Sequence, residues 1–129
     1  MNLSWWMRVV GAVYLFLTIA AILRVPIRVE GPKGLLAQAK AGDLIARYAV
    51  DTWFQLGLYF LVIGTTLLVF SDRPAEARAL VWGVLGLELA GIAVDIHKLQ
   101  RGYDRKAPIT WMVIHAVILA SGLYFLGAA

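Results

Sequence analysis

The stretch TWFQLGLYFLVIGTTLLVF, residues 52–70, decides the fold. It contains no Asp, Glu, Lys, Arg or His. Its length is close to the ~20 residues that an α-helix needs to cross a ~30 Å hydrocarbon layer. Only a helix or a closed barrel can satisfy its own backbone there, and one uninterrupted apolar run reads as a helix. Working outward, Trp5–Leu23 is broken only by Arg8 and is closed by Arg24. Ala79–Ile96 is apolar except for Glu88 and Asp95, and Ile109–Leu126 has a single ionisable residue, His115. The expected fold is an all-α integral membrane protein, a four-helix transmembrane bundle forming one domain over residues 1–129. Its spans fall at about 5–24, 51–70, 78–97 and 108–127.

Composition agrees with this reading. Hydrophobic residues make up 61% of the chain and charged ones 16%, against about 45–50% and about 25% in soluble domains. A disordered chain, a collagen-like repeat and a water-soluble enzyme of this length are all poor fits. The chain has no cysteine, which removes disulfides, thiol nucleophiles and cysteine-ligated metals. The first span is too long for a secretory signal, opens on two Trp and lacks a small-residue cleavage site, so it is expected to stay in the membrane.

The net charge of +4 is distributed as a topology signal. Loop one holds Arg24, Arg28, Lys33, Lys40 and Arg47, and loop three holds Lys98, Arg101, Arg105 and Lys106. The other side has only Arg8, Arg73 and Arg78. By the positive-inside rule loops one and three face the cytoplasm and both termini lie outside. The same distribution argues against nucleic acid as a partner and for the lipid bilayer. Trp5, Trp6, Trp53, Trp82 and Trp111 all fall near span ends, as interfacial anchors do.

The connections carry further signals. RVPIRVEGPKG (24–34) is broken by Pro and Gly, whereas LLAQAKAGDLIARYAV (35–50) suits a short interfacial helix after helix one. SDRPAEAR (71–78) reads as a tight turn in which Ser71 or Asp72 caps the third helix. Ala79, Gly83, Gly86 and Ala90 on that helix, Gly57 and Gly64 on the second, and Ala116 and Ala120 on the fourth offer small-residue packing faces.

An ionisable residue within a span is costly and marks a candidate site. Glu88 lies deepest, and Asp95, seven residues on, shares its face about 10 Å along the axis. That spacing is too long for a directly paired dyad. His115 falls at a depth similar to Glu88, and Asp51, Gln55 and Tyr59 form an i, i+4, i+8 stripe on the second span. Glu88, Asp51, Asp95 and His115 are therefore the candidate acid–base residues. Tyr14, Thr18, Arg24, Gln55, Tyr59 and Trp53 are the candidate binding residues.

Each has a structural alternative. Asp51 can cap the second span, Asp95 and His97 can sit in solvated helix ends, and Tyr59 can pack. Glu88 can form an ion pair with His115 or Arg24 that joins helices. The unequal depths of His97 and His115 argue against a bis-histidine haem. No HxxxH or ExxH spacing supports a carboxylate–histidine metal site, and no phosphate-cradling or dinucleotide motif is present. Neither a metal nor a cofactor is expected.

WWMRVVGAVYLFL (5–17), DTWFQLGLYFLVIG (51–64) and ALVWGVLGLELAGIAVDI (79–96), followed by RGY (101–103), resemble the BphX-like family of small four-span bacterial membrane proteins, itself loosely similar to the DoxX-like group. The resemblance covers half to two thirds of the chain. It implies the same four-span topology and a bacterial source, with a link through the family name to aromatic degradation, and it draws attention to Asp51, Glu88 and Asp95. The leading functional expectation is an intramembrane pocket for a small hydrophobic molecule, aromatic or isoprenoid, with cofactor-free acid–base catalysis centred on Glu88. Isomerisation, cyclisation or epoxide opening would suit those residues. The alternatives are a non-catalytic accessory protein that docks a partner, or a subunit of a homo-oligomeric channel or transporter.

Overall fold

A computed structural model describes residues 2–23, 34–102 and 105–128. The described residues are all-α, with helices α1 (Leu3–Ile22), α2 (Leu35–Lys40), α3 (Leu44–Phe70), α4 (Arg78–Gln100) and α5 (Lys106–Gly127). Four of these, α1, α3, α4 and α5, are long and apolar enough to cross a membrane. The fold class is that of a four-helix membrane bundle, as the hydropathy implies. Many large apolar side chains, among them Phe16, Val62, Val69 and Tyr124, lie on the outside. That distribution suits hydrocarbon as the surrounding medium.

The chain divides into two compact units, and α1 and α3 each contribute to both. The first comprises residues 1–10 and 67–129. There α4 packs against α5, and Trp6 from the start of α1 donates its indole N–H to Ser121 Oγ at 3.0 Å. Gly122 admits this packing. A Cβ there would stand 2.5 Å from a Leu85 methyl and 2.8 Å from the Trp6 ring. Arg78, at the first turn of α4, donates to the Leu126 carbonyl at 3.2 Å and so satisfies an end carbonyl of α5. At the turn between α3 and α4, Arg8 meets both Ser71 Oγ (3.3 Å) and Asp72 Oδ1 (2.5 Å).

The second unit is residues 11–66. Gly64 lets α1 and α3 approach closely. A Cβ on it would lie 2.8 Å from the Gly11 carbonyl oxygen and 3.0 Å from Leu15. Gly57 faces Ala21 and Ile22 in the same way, and Tyr14 packs edge-on against Phe60 with ring centroids 5.5 Å apart. Ala39, Ala46 and Val50 form a small cluster with Leu35, Leu36 and Trp53 around it.

Five expectations need correction. The segment 35–50 is not one interfacial helix. It breaks after α2 at Gly42, whose φ of +103° suits a residue without a Cβ. Around it Gly42 N–H donates to Ala39 O and Asp43 N–H to Gln38 O, the paired bonds of a Schellman turn. Residues 44–51 instead begin the second span, which reaches about 40 Å at 1.5 Å per residue. The cap is Asp43, whose Oδ1 accepts the Ala46 N–H at 2.8 Å. Asp51 lies inside the helix and caps nothing.

Neither Ser71 nor Asp72 caps α4. That helix starts at Arg78 after Ala77 and has no side-chain cap, while Ser71 and Asp72 engage Arg8. Trp6 is not an interfacial anchor but a buried packing residue, 3% exposed. A Cβ added at Gly83 or Gly86 would meet nothing within 4 Å, so these two glycines are not packing contacts here.

Candidate functional site

The site belongs to the first unit and is built on the contact between α4 and α5. Glu88, Gly91 and Asp95 stand three and four residues apart, so they share one face of α4. His115 comes from α5. Its Nδ1 lies 2.5 Å from Glu88 Oε2, and its Nε2 lies 3.9 Å from Asp95 Oδ2. The imidazole therefore stands between two carboxylates that are too far apart to meet each other. With Glu88 ionised, Nδ1–H donates to it, which fixes the tautomer and leaves Nε2 on the side of Asp95. The Nε2 separation exceeds a hydrogen bond, so Asp95 acts on the ring through its charge.

Gly91 is the residue that makes room for the ring. A Cβ on Gly91 would fall 2.6 Å from His115 Nε2 and 2.7 Å from Cε1. No reading of ionisable residues alone finds it. Its signal was nonetheless present, as a glycine on the stripe between two acidic residues. Trp111 flanks the imidazole one turn away, with ring centroids 6.2 Å apart.

Burial separates the roles. Glu88 and Asp95 are each 2% exposed, whereas the His115 side chain keeps 24% of its surface open. The carboxylates are enclosed, whereas the His115 side chain is partly open. Asp95 is also held by Lys98, whose Nζ donates to Oδ1 at 2.8 Å. This pairing with a cation at the edge of the cluster is how a buried carboxylate such as Asp95 is tolerated. Every buried side-chain polar atom among the described residues has a partner. Measured from the Gln100 end of α4 and the Lys106 end of α5, Asp95 lies ~8 Å in, His115 ~14 Å and Glu88 ~18 Å. The cluster thus forms a chain of polar groups running from the half-exposed Lys98 inward.

Glu88, Asp95 and His115 do not converge on a point. The two carboxylates approach opposite nitrogens of one ring, and among the described residues no group of three or more such side chains is placed to hold a metal ion.

The other candidates fall in the second unit, except Arg24, which lies outside the described residues. Asp51 is exposed, about two turns into α3. Gln55 Nε2 donates to the Tyr59 hydroxyl at 2.6 Å, a pair on an exposed face. Thr18 is buried, and its hydroxyl donates to the Tyr14 carbonyl within α1. Trp53 packs on the Ala39 cluster. His97 is exposed.

Comparison with known proteins finds no protein-family model, curated relative or solved structure that matches this chain.

Proposed function

We propose that this multi-pass membrane protein carries an intramembrane acid–base site for a small hydrophobic molecule, with His115 as the proton-transferring group. The observation that carries this reading is the asymmetry of the imidazole. One nitrogen is tied to the buried Glu88, while a quarter of the side chain remains open. A carboxylate that orients a histidine and stabilises its protonated form is a recurrent arrangement for general acid–base work. This shifts the central role from Glu88, the residue favoured by depth alone, to His115. Glu88 becomes the positioning residue, and Asp95 stands at the far side of the reacting nitrogen.

An isomerisation fits this equipment best. His115 would take a proton from one carbon of a lipophilic substrate and return it to another, so no oxidant, cofactor or second substrate is consumed. The molecule would enter from the bilayer. The basic loops favour an orientation with loops one and three on the cytoplasmic side, and the family resemblance favours a bacterial inner membrane. The resemblance to the BphX-like proteins is compatible with an aromatic or isoprenoid ligand.

A second reading is favoured by the complete satisfaction of the cluster: the Glu88–His115 contact would serve only to hold α4 to α5. Native mass spectrometry of the detergent-purified protein separates the two. Under the acid–base reading a non-lipid mass is retained by the wild type and lost from folded His115→Asn and Glu88→Gln variants. An apo wild type, with variants that lose helical structure or cannot be recovered, supports the clamp and overturns the site.

A further inference from the structure

Where α2 turns into α3, within the second unit, the chain forms an open hollow of about 270 Å³ lined by Leu36, Ala39, Lys40, Arg47, Val50 and Asp51. Its charged groups are unusually free. Arg47 Nε donates to the Ala39 carbonyl at 3.1 Å, which anchors the guanidinium and leaves its outer nitrogens available. The side chains of Lys40 and Asp51 form no hydrogen bond or ion pair among the described residues. Arg47 and Asp51 are four residues apart on one helix face, a spacing that favours pairing, yet they do not pair with each other.

The hollow also lies at a definite depth. At about 40 Å, α3 is longer than the ~30 Å hydrocarbon layer. Its charge-free run starts only at Thr52, so the first two turns, with Arg47 and Asp51, stand at the level of the lipid headgroups. Leu44, Ile45 and Tyr48 on those turns are 76%, 82% and 77% exposed. This is an apolar edge suited to the acyl boundary next to the headgroups.

From these observations we infer that the hollow is a binding site for a phospholipid headgroup that carries both a phosphodiester and a primary ammonium. Lys40 and Arg47 meet the phosphate, and Asp51 accepts from the ammonium. Two cations alone would suit any anionic lipid. The unpaired carboxylate beside them selects against a headgroup with no amine, by leaving Asp51 unmet and close to the phosphate. It selects against a quaternary amine, which has no N–H to donate. This site is independent of the Glu88–His115 reading and stands or falls without it.

The test is native mass spectrometry of the full chain in detergent, with equimolar phosphatidylethanolamine, phosphatidylcholine and phosphatidylglycerol of identical acyl chains. The wild type is expected to retain the ethanolamine lipid about threefold over each of the others, the scale of one partly exposed ion pair. In Asp51→Asn that preference disappears while total lipid retention persists. In Lys40→Gln retention of all three falls. Circular dichroism confirms that the variants remain helical, as substitutions at an open surface allow. Equal retention of the three lipids by the wild type, or an ethanolamine preference that survives Asp51→Asn, overturns the proposal. So does displacement of the bound lipid by inorganic phosphate alone, which would identify a free-phosphate site.

Discussion

His115 Nδ1 and Glu88 Oε2 lie 2.5 Å apart across the contact between α4 and α5, although 27 residues separate them in the chain. This hydrogen bond joins the two helices near mid-span. Its strength is measurable by a double-mutant cycle of Glu88→Ala and His115→Ala, read by equilibrium unfolding in mixed micelles. The coupling energy is expected at about 1–2 kcal/mol, the upper part of the range for polar contacts between transmembrane helices. A coupling near zero would show that the two side chains do not cooperate.

Glycines on α4 divide sharply by position. Gly91→Ala drives a methyl into the His115 ring and is expected to destabilise by about 1–3 kcal/mol, the usual penalty for overpacking. Gly83→Ala and Gly86→Ala meet open space. They should be neutral, or stabilise by up to about 1 kcal/mol through the backbone entropy of the unfolded chain. Thermal unfolding of the three variants in one detergent gives the comparison. Equal effects at all three positions would contradict the placement of His115 against Gly91.

Lys98 and Arg73 each form an ion pair with a residue three positions away, but only the partner of Lys98 is buried. Lys98→Met leaves the Asp95 carboxylate, 3% exposed, without the ammonium that it accepts from. A loss of about 1–2 kcal/mol is expected. Arg73→Met breaks a pair in which both side chains are mostly exposed and should change stability little. A Lys98→Met protein as stable as the Arg73→Met one would mean that Asp95 takes up water once its partner is gone.

Trp6→Phe removes the indole donor to Ser121 and keeps most of the buried ring. A cost of about 1 kcal/mol is expected, because Ser121 Oγ still donates to carbonyls of its own helix. In the wild type, Trp6 emission should be shielded from aqueous quenchers to which a tryptophan at the membrane surface would respond. Comparing quenching in the wild type and Trp6→Phe isolates its contribution.

The four spans were legible because hydropathy adds up over some twenty residues, and no local detail can cancel so large a sum. Glu88, Asp95 and His115 stood out for the complementary reason, as single costly residues against an apolar background. What the chain concealed is rotation about each helix axis. A helix apolar on every side has no stripe to show which face meets a neighbour, so small-residue spacing singles out Gly83 and Gly86 as packing glycines and leaves Gly91 and Gly122, which do pack, unnamed. For the same reason Trp6 was indistinguishable from Trp5, although one turns inward and the other outward. The start of α3 was hidden differently. Arg47 and Asp51 interrupt the apolar run and mark the edge of hydrocarbon, but a helix does not have to end where the hydrocarbon does.

The notch at Gly91 binds two distant positions of the chain into one hereditary unit. While His115 is present, residue 91 has no freedom to acquire a side chain. Once the imidazole is replaced by something small, the restriction lifts and alanine there becomes harmless. Mutational histories through this pair are therefore ordered: a change at 115 must come first, and the same two substitutions taken in reverse pass through a damaged intermediate. Such epistasis is a signature that selection on the site would leave in descendants of this sequence, whatever molecule the site serves.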